Sequence, residues 1–312
     1  MLRTAVVGTG YLGAFHAQKY SQLPASLLVG VADINPSQGQ KVAGECNTTY
    51  FPDHKALLDK VDAVSIAVPT CMHHAIARDF LEAGVHVLVE KPITTTVAEA
   101  KELVSLAHKK QLVLQVGFLE RFNAAIDSVI PELVEPRFIE SHRLAGFKPR
   151  SIDINVVMDL MIHDLDIILS LVDSPVINIV ANGTPVLTNT VDIAQARLTF
   201  NNGCVANVTA SRISQNSKRK MHIFQKTGCI CVDFQELKTR FFSKGDNEVF
   251  PGIPTIQCQE QQFRDDDPLK KEIDDFLQCI TCRRSPKASG EQGAKALDIA
   301  CQISNIIAQG QY

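Results

Sequence analysis

The 312 residues carry 31 Lys and Arg against 34 Asp and Glu, a formal net charge of −3. That balance gives no electrostatic case for nucleic acid or for a membrane surface. No apolar run is long enough to span a bilayer, and the length allows two domains. The opening "MLRTAVVGTG" breaks any signal-peptide core with glycines, so a cytosolic protein is expected.

The first element predicted is a buried strand over 4–7, followed by a glycine turn and a helix. Gly8, Gly10 and Gly13 form GxGxxG, with Tyr11 and Leu12 inside the motif. The first glycine permits a tight turn, the second lets main chain approach a pyrophosphate, and the third lets helix and strand pack closely. The helix N-terminus then offers N–H groups to the phosphates.

The next strand, "SLLVGVADI", brings Asp33 twenty residues after Gly13. A carboxylate there accepts hydrogen bonds from ribose hydroxyls and repels a 2′-phosphate, so NAD is the expected cofactor.

Strands at 62–69, 86–90 and 112–118 alternate with helical segments at 71–84 and 94–109. That alternation predicts a parallel sheet covered by helices. Pro69, Thr70, His73 and His74 lie where such folds place ligands. One of the two histidines is expected to contact the cofactor. Glu90, Lys91 and Pro92 end another strand, where a lysine can reach a nicotinamide. The Lys91–Pro92 bond is a candidate for cis. Thr94–Thr96 with Glu99 read as a helix start.

From 136 the period changes. "PRFIESHRLAG", "VINIVANG", "DIAQARLTFNNGCVANVTASRI", "RKMHIFQKTGCICVDF" and "TRFFSKG" read as strands of a mostly antiparallel sheet. Asn202–Gly203 suits a hairpin turn. The stretch over about 153–172 reads as a buried helix on that sheet. Its Asn155, Asp159, His163 and Asp166 fall on one stripe at ~100° per residue, expected to face the cofactor. Buried ionisable groups are expensive unless partnered. Residues 251–267 read as a loop, and helices are expected over 268–282 and 290–308. Ser289 and Gln292 form a capping box for the second.

The nine cysteines show no zinc-site spacing. Most read as small core residues, and no metal is expected. Arg121 and Asn123, just past the last strand of the first domain, and Arg150, before the polar-striped helix, are candidates for a diphosphate. Arg212 and the run 218–220 read as solvated faces.

Taken together, GxGxxG at 8–13, Asp33, "VPT" at 68–70, "EKP" at 90–92 and "DLMIHDLD" at 159–166 resemble the Gfo/Idh/MocA oxidoreductases over nearly the whole chain. The resemblance implies a Rossmann domain, here 1–120. It also implies an α+β domain with a large open, mostly antiparallel sheet packed on helices, here 121–312. It further implies oxidation or reduction of a sugar-like carbinol by a pyridine nucleotide. The matching positions are Lys91, Asp159 and His163. "INVVM" replaces the glycine pair that many members carry before the last motif.

A narrower likeness rests on "GFLERFNAA" and "FKPRSIDINVVMDLMIHDLD". It points to the branch that oxidises the 3-hydroxyl of a UDP-linked N-acetylhexosamine, feeding 3-amino sugars of lipid A or surface glycans. Ala124 stands where that branch has Pro.

His163 is the expected general base, because its ordinary pKa lies near working pH. Lys91 would stabilise developing alkoxide or take the proton itself. Asp159 would hold a sugar hydroxyl or the imidazole, Asn155 would touch the sugar, and Asp166 would be structural. A free-sugar or inositol dehydrogenase and a non-catalytic dinucleotide-binding regulator are the alternative readings. The open sheet is expected to bury itself in a homodimer or homotetramer.

Overall fold

The structure, a computed structural model, describes residues 1–148, 154–264 and 266–310. Its contacts divide the chain into two units: Met1–Phe122 with Asp267–Leu297, and Asn123–Asp266 with the chain from Asp298 onward.

In the first unit the strands are β1 (Leu2–Val7), β2 (Ser26–Ala32), β3 (Thr49–Phe51), β4 (Ala63–Ile66), β5 (His86–Glu90) and β6 (Leu114–Gly117). They pair in parallel in the order β3-β2-β1-β4-β5-β6. This is the doubly wound dinucleotide-binding order. Three-residue β3 has too little apolar pattern to show in the sequence.

Helices α1 (Tyr11–Gln22), α2 (Pro36–Glu45), α3 (Thr70–Glu82) and α4 (Val97–Lys110) form the crossovers. Thr96 and Glu99 make the reciprocal capping box at α4. The chain then runs through α5 (Ala124–Asp127), in the second unit.

The second unit holds an eight-stranded sheet among the described residues. Its strands are β7 (Phe138–Leu144), β8 (Val176–Thr184), β9 (Ile193–Phe200), β10 (Val205–Ser211), β11 (Lys218–Gln225), β12 (Gly228–Asp233), β13 (Lys238–Phe250) and β14 (Ile253–Gln262). The order is β14-β13-β12-β11-β7-β10-β9-β8, antiparallel except for β7 against β10. In β9 the residues Ala194, Ala196, Leu198 and Phe200 are buried, as their alternation requires. The β9–β10 hairpin turns at Gly203, whose φ of +84° is the left-handed conformation of a bulged three-residue loop.

Two expectations fail. The stretch over 251–267 is not a loop, because β14 occupies most of it. This edge strand pairs with β13 alone and is exposed along most of its length. It needs no apolar face and tolerates Pro254. The boundary after 120 lies two residues from the observed one, yet residues 267–297 belong to the first unit. Helix α7 (Pro268–Cys282) explains this. Ile273 and Leu277 pack with Val6, Ala17 and Tyr20, and Phe276 packs with Ala63 and Leu88. Helix α8 (Gly290–Gln309) follows, capped by Ser289 and Gln292.

The expected buried helix begins as a π-helical turn, Val157–Met161, and continues as α6 (Ile162–Leu171). A π turn holds an extra residue and recurs at functional sites. It bends the stripe that an ideal helix would draw straight.

Candidate functional site

The cofactor loop is built as its glycines require. Gly8 has φ +85°, and a Cβ there would stand 2.5 Å from the Ala67 carbonyl oxygen. A Cβ on Gly13 would stand 1.8 Å from the Gly8 oxygen. Gly10 differs: a Cβ there meets nothing within 4 Å among the described residues. Gly10 is also the N-cap of α1 and makes no side-chain cap. The helix N-terminus is thus left to an external anion. Tyr11 and Leu12 are exposed beside it.

Asp33 closes the loop from below. One carboxylate oxygen accepts Thr9 N at 2.6 Å and Thr9 Oγ1 at 2.7 Å, and the other accepts Asn35 N at 2.8 Å. Partial burial pushes its pKa up. The hydrogen bonds from Asn35 and Thr9 outweigh that and hold it below the ordinary carboxylate value. The carboxylate is therefore ionised and fixed just past the end of β2.

Pro69 and Thr70 open α3. His73 points inward. Its Nδ1 lies 2.8 Å from the Pro92 carbonyl and its Nε2 2.9 Å from the Val68 carbonyl. Burial lowers its pKa, against the opposing pull of those carbonyls and Glu90. His74 lies 3.0 Å from Glu102. Lys91 is half-buried between Glu90 and Pro92, and the Lys91–Pro92 bond is cis.

In the second unit Asn155 serves the π turn. Its Oδ1 accepts Met158 N at 3.0 Å, and its Nδ2 donates to Ser304 Oγ at 3.2 Å. Asp159 and His163 are half-buried, whereas Asp166 is buried. Asn123 caps α5 through Ala125 N, and Arg121 is buried in the turn Leu119–Phe122. Arg150 lies outside the described residues.

Two functional supports escaped the sequence reading. Asp164 falls on the sheet side of the helix, where it accepts Arg143 Nε at 2.7 Å and Ser141 Oγ at 3.1 Å. The available signal was Ser141 and Arg143 at inward positions of β7. Arg212 is buried, not solvated. It donates to the Ile154 carbonyl, ahead of the π turn, and lies 3.6 Å from Asp192. Both pairs hold the polar helix in place.

The cysteine reading also needs correction. Cys46, Cys204 and Cys279 are buried, but the other six are half-buried or exposed, three of them on β12 and β14 and three on helices.

A parallel sheet in this order, an anion-ready glycine turn and a fixed acidic residue after the second strand define a dinucleotide-binding protein. Residues 2–118 match the family model "Oxidoreductase family, NAD-binding Rossmann fold", and 137–231 match "GFO/IDH/MocA C-terminal domain". The chain belongs to the Gfo/Idh/MocA family of oxidoreductases, and NAD is its cofactor.

Among its relatives is the UDP-N-acetylglucosamine 3-dehydrogenase of Acidithiobacillus ferrooxidans, 42% identical over 97% of this chain and 96% of that protein. The structure of that dehydrogenase superposes with a TM-score of 0.94, covering 100% of this chain and 99% of the other. The scyllo-inositol 2-dehydrogenase (NAD(+)) of Bacillus subtilis is 26% identical over 99% of this chain and 95% of its own. A levoglucosan dehydrogenase in complex with NADH, at 20% identity and a TM-score of 0.86, covering 99% of this chain and 97% of that chain, shares the fold. Among the described residues no helix is long and apolar enough to cross a membrane.

Proposed function

We propose that the protein oxidises the 3-hydroxyl of a UDP-linked N-acetylhexosamine to the 3-ketone. The observation that carries this reading is full-length similarity to a UDP-N-acetylglucosamine 3-dehydrogenase, at an identity well above that of the inositol dehydrogenases. The joint presence of Lys91, Asp159 and His163 supports an enzyme rather than a regulator that only binds dinucleotide.

Gly8, Gly10 and Gly13 with the N-terminus of α1 would hold the pyrophosphate, and Asp33 the adenosine ribose. Pro69, Thr70, Glu90 and Lys91 would line the nicotinamide end. Bound NAD supplies the hydride acceptor. Lys91 hydrogen-bonds the reacting hydroxyl and stabilises negative charge as its proton leaves. His163 takes that proton, and Asp159 orients the imidazole or a sugar hydroxyl. Arg150 and Arg121 supply guanidinium forks for the diphosphate.

The test mixes stoichiometric protein, NAD and UDP-N-acetylglucosamine and follows nicotinamide absorbance in a single turnover. Reduction is expected in the wild type. Lys91→Ala should slow it by roughly 100-fold or more. No reduction by a protein that binds NAD would discard the nucleotide-sugar reading.

A further inference from the structure

Three ionisable side chains outside the acid–base pair meet beside Lys91. His16 comes from α1, Glu90 from the end of β5 and Glu272 from α7, and their ligating atoms all lie within 4.8 Å of one another. His16 and Glu272 have no exposed surface. His16 Nε2 lies 3.0 Å from Glu90 Oε1, whose side chain is 12% exposed. Gln115 of β6 donates to the Glu272 carbonyl at 3.0 Å, tying α7 to the sheet. Gly117 sits opposite Glu90 in the ladder, and a Cβ there would stand 2.8 Å from Glu90 Oε2. The carboxylate therefore has one place to lie.

The other neighbour of Lys91 is held in the same manner. Pro92 presents its carbonyl to His73 Nδ1 at 2.8 Å, and His73 is fully enclosed by α3 and the main chain at Val68. Lys91 thus stands between two residues, each gripped by a buried histidine. The ionisable groups around these histidines are Tyr20 of α1, Glu90 and Glu272. Tyr20 is bonded to Ser65 at 2.8 Å and held protonated by burial.

Enclosure disfavours more than one net charge on the cluster. An imidazolium between two carboxylates sums to −1. A neutral imidazole with one carboxyl protonated also sums to −1. Either arrangement keeps one negative charge a single residue from Lys91.

We infer that His16, Glu272 and His73 are positioning residues for Lys91, fixing its two chain neighbours and keeping a negative charge beside it. The inference rests on the reading of Lys91 as the group that meets the carbinol. A lysine tethered on both sides loses little freedom on meeting the hydroxyl, and misplacement by about 1 Å is enough to slow an aligned reaction roughly 100-fold. Bound NAD would bring a positively charged nicotinamide, which the adjacent negative charge would offset.

The experiment reads Lys91 directly, by NMR of protein labelled at lysine Cε, with the resonance assigned by Lys91→Arg and titrated with and without NAD. Glu90→Gln is expected to move its midpoint down by about one pH unit. His16→Asn and Gly117→Ala free or displace the Glu90 carboxylate. Both should lower kcat on UDP-N-acetylglucosamine by about 10- to 100-fold with little change in KM. His16→Gln keeps a donor for Glu90 and should recover most of that loss.

Folded His16→Asn protein with unchanged Lys91 titration and kcat would overturn the inference. So would a stoichiometric metal ion in the purified protein, which would make the cluster a ligand set. If the wild type oxidises no nucleotide sugar, the proposed function fails, while the Lys91 titration still decides whether the clamp exists.

Discussion

At the scale of single residues, Asp192 shows what a buried carboxylate can organise. One oxygen accepts the main-chain N–H groups of Val186, Leu187 and Thr188 at 2.8, 2.6 and 2.9 Å, and the other accepts Thr188 Oγ1. Arg212 stands against it. Burial pushes its pKa up, but those donors pull it down to about 2. The folded value is depressed, so the contribution to stability is present above the ordinary value of 3.8. It is lost as pH falls toward about 2. Asp192→Asn should cost roughly 3 kcal/mol, because it breaks a buried charge pair with Arg212. Denaturant titrations at neutral pH check this, and the difference from wild type should shrink in acid.

The glycines give a second residue-level contrast. Gly10→Ala meets no protein atom nearby, so thermal stability should hold while NAD binding weakens about tenfold or more from contact with the pyrophosphate. Gly13→Ala drives a methyl into the Gly8 oxygen and should unfold the domain at lower temperature. Calorimetry and NAD titration on both variants separate ligand contact from packing.

At the scale of elements, the π turn decides how Asp159 stands relative to His163. Asn155 caps it, the Thr190 hydroxyl and Arg212 reach the Ile154 carbonyl, and Val156 N donates to the Val191 carbonyl at 2.9 Å. The loop between β8 and β9 thus anchors the start of the polar helix. Deleting Met158 should restore a regular helix and turn Asp159 by ~100° about its axis. NAD binding, built in the other unit, should be unchanged while sugar oxidation is lost. Full activity in that variant would show that the turn has no part in aligning the pair.

At the scale of the molecule, α7 belongs to the nucleotide-binding unit although it lies beyond the second sheet in the chain. Ending the protein at Asp266 would strip Ile273, Phe276 and Leu277 from that core. Burial of three such side chains is worth several kcal/mol. The truncated chain should therefore lose cooperative unfolding and NAD binding together, read by circular dichroism and fluorescence. The open face of the eight-stranded sheet carries Phe138 and Phe224, with ring centroids 5.8 Å apart and Phe224 40% exposed. Pairing of two copies through this face is the expected assembly. Light scattering should give a dimer or tetramer, and Phe224→Glu should shift it toward the monomer.

Much of this protein is legible in the order of its residues, wherever a requirement is local. The glycine turn at 8–13, Thr96 with Glu99, Ser289 with Gln292 and the alternation in β9 each express chain geometry within a few residues, and the structure carries all of them as expected. Only the tertiary structure decided the rest, because the partners lie far apart in sequence. Asp164 is tolerable in a buried helix through Arg143 and Ser141, and Arg212 through partners that include Asp192 and the Ile154 carbonyl. The exposed strand β14 has no apolar face to announce it, and the π turn leaves no periodic trace. The grip on Lys91 joins four distant segments, since His16, His73, Glu90 and Glu272 acquire their meaning only when the sheet brings α1, α3, β5 and α7 together.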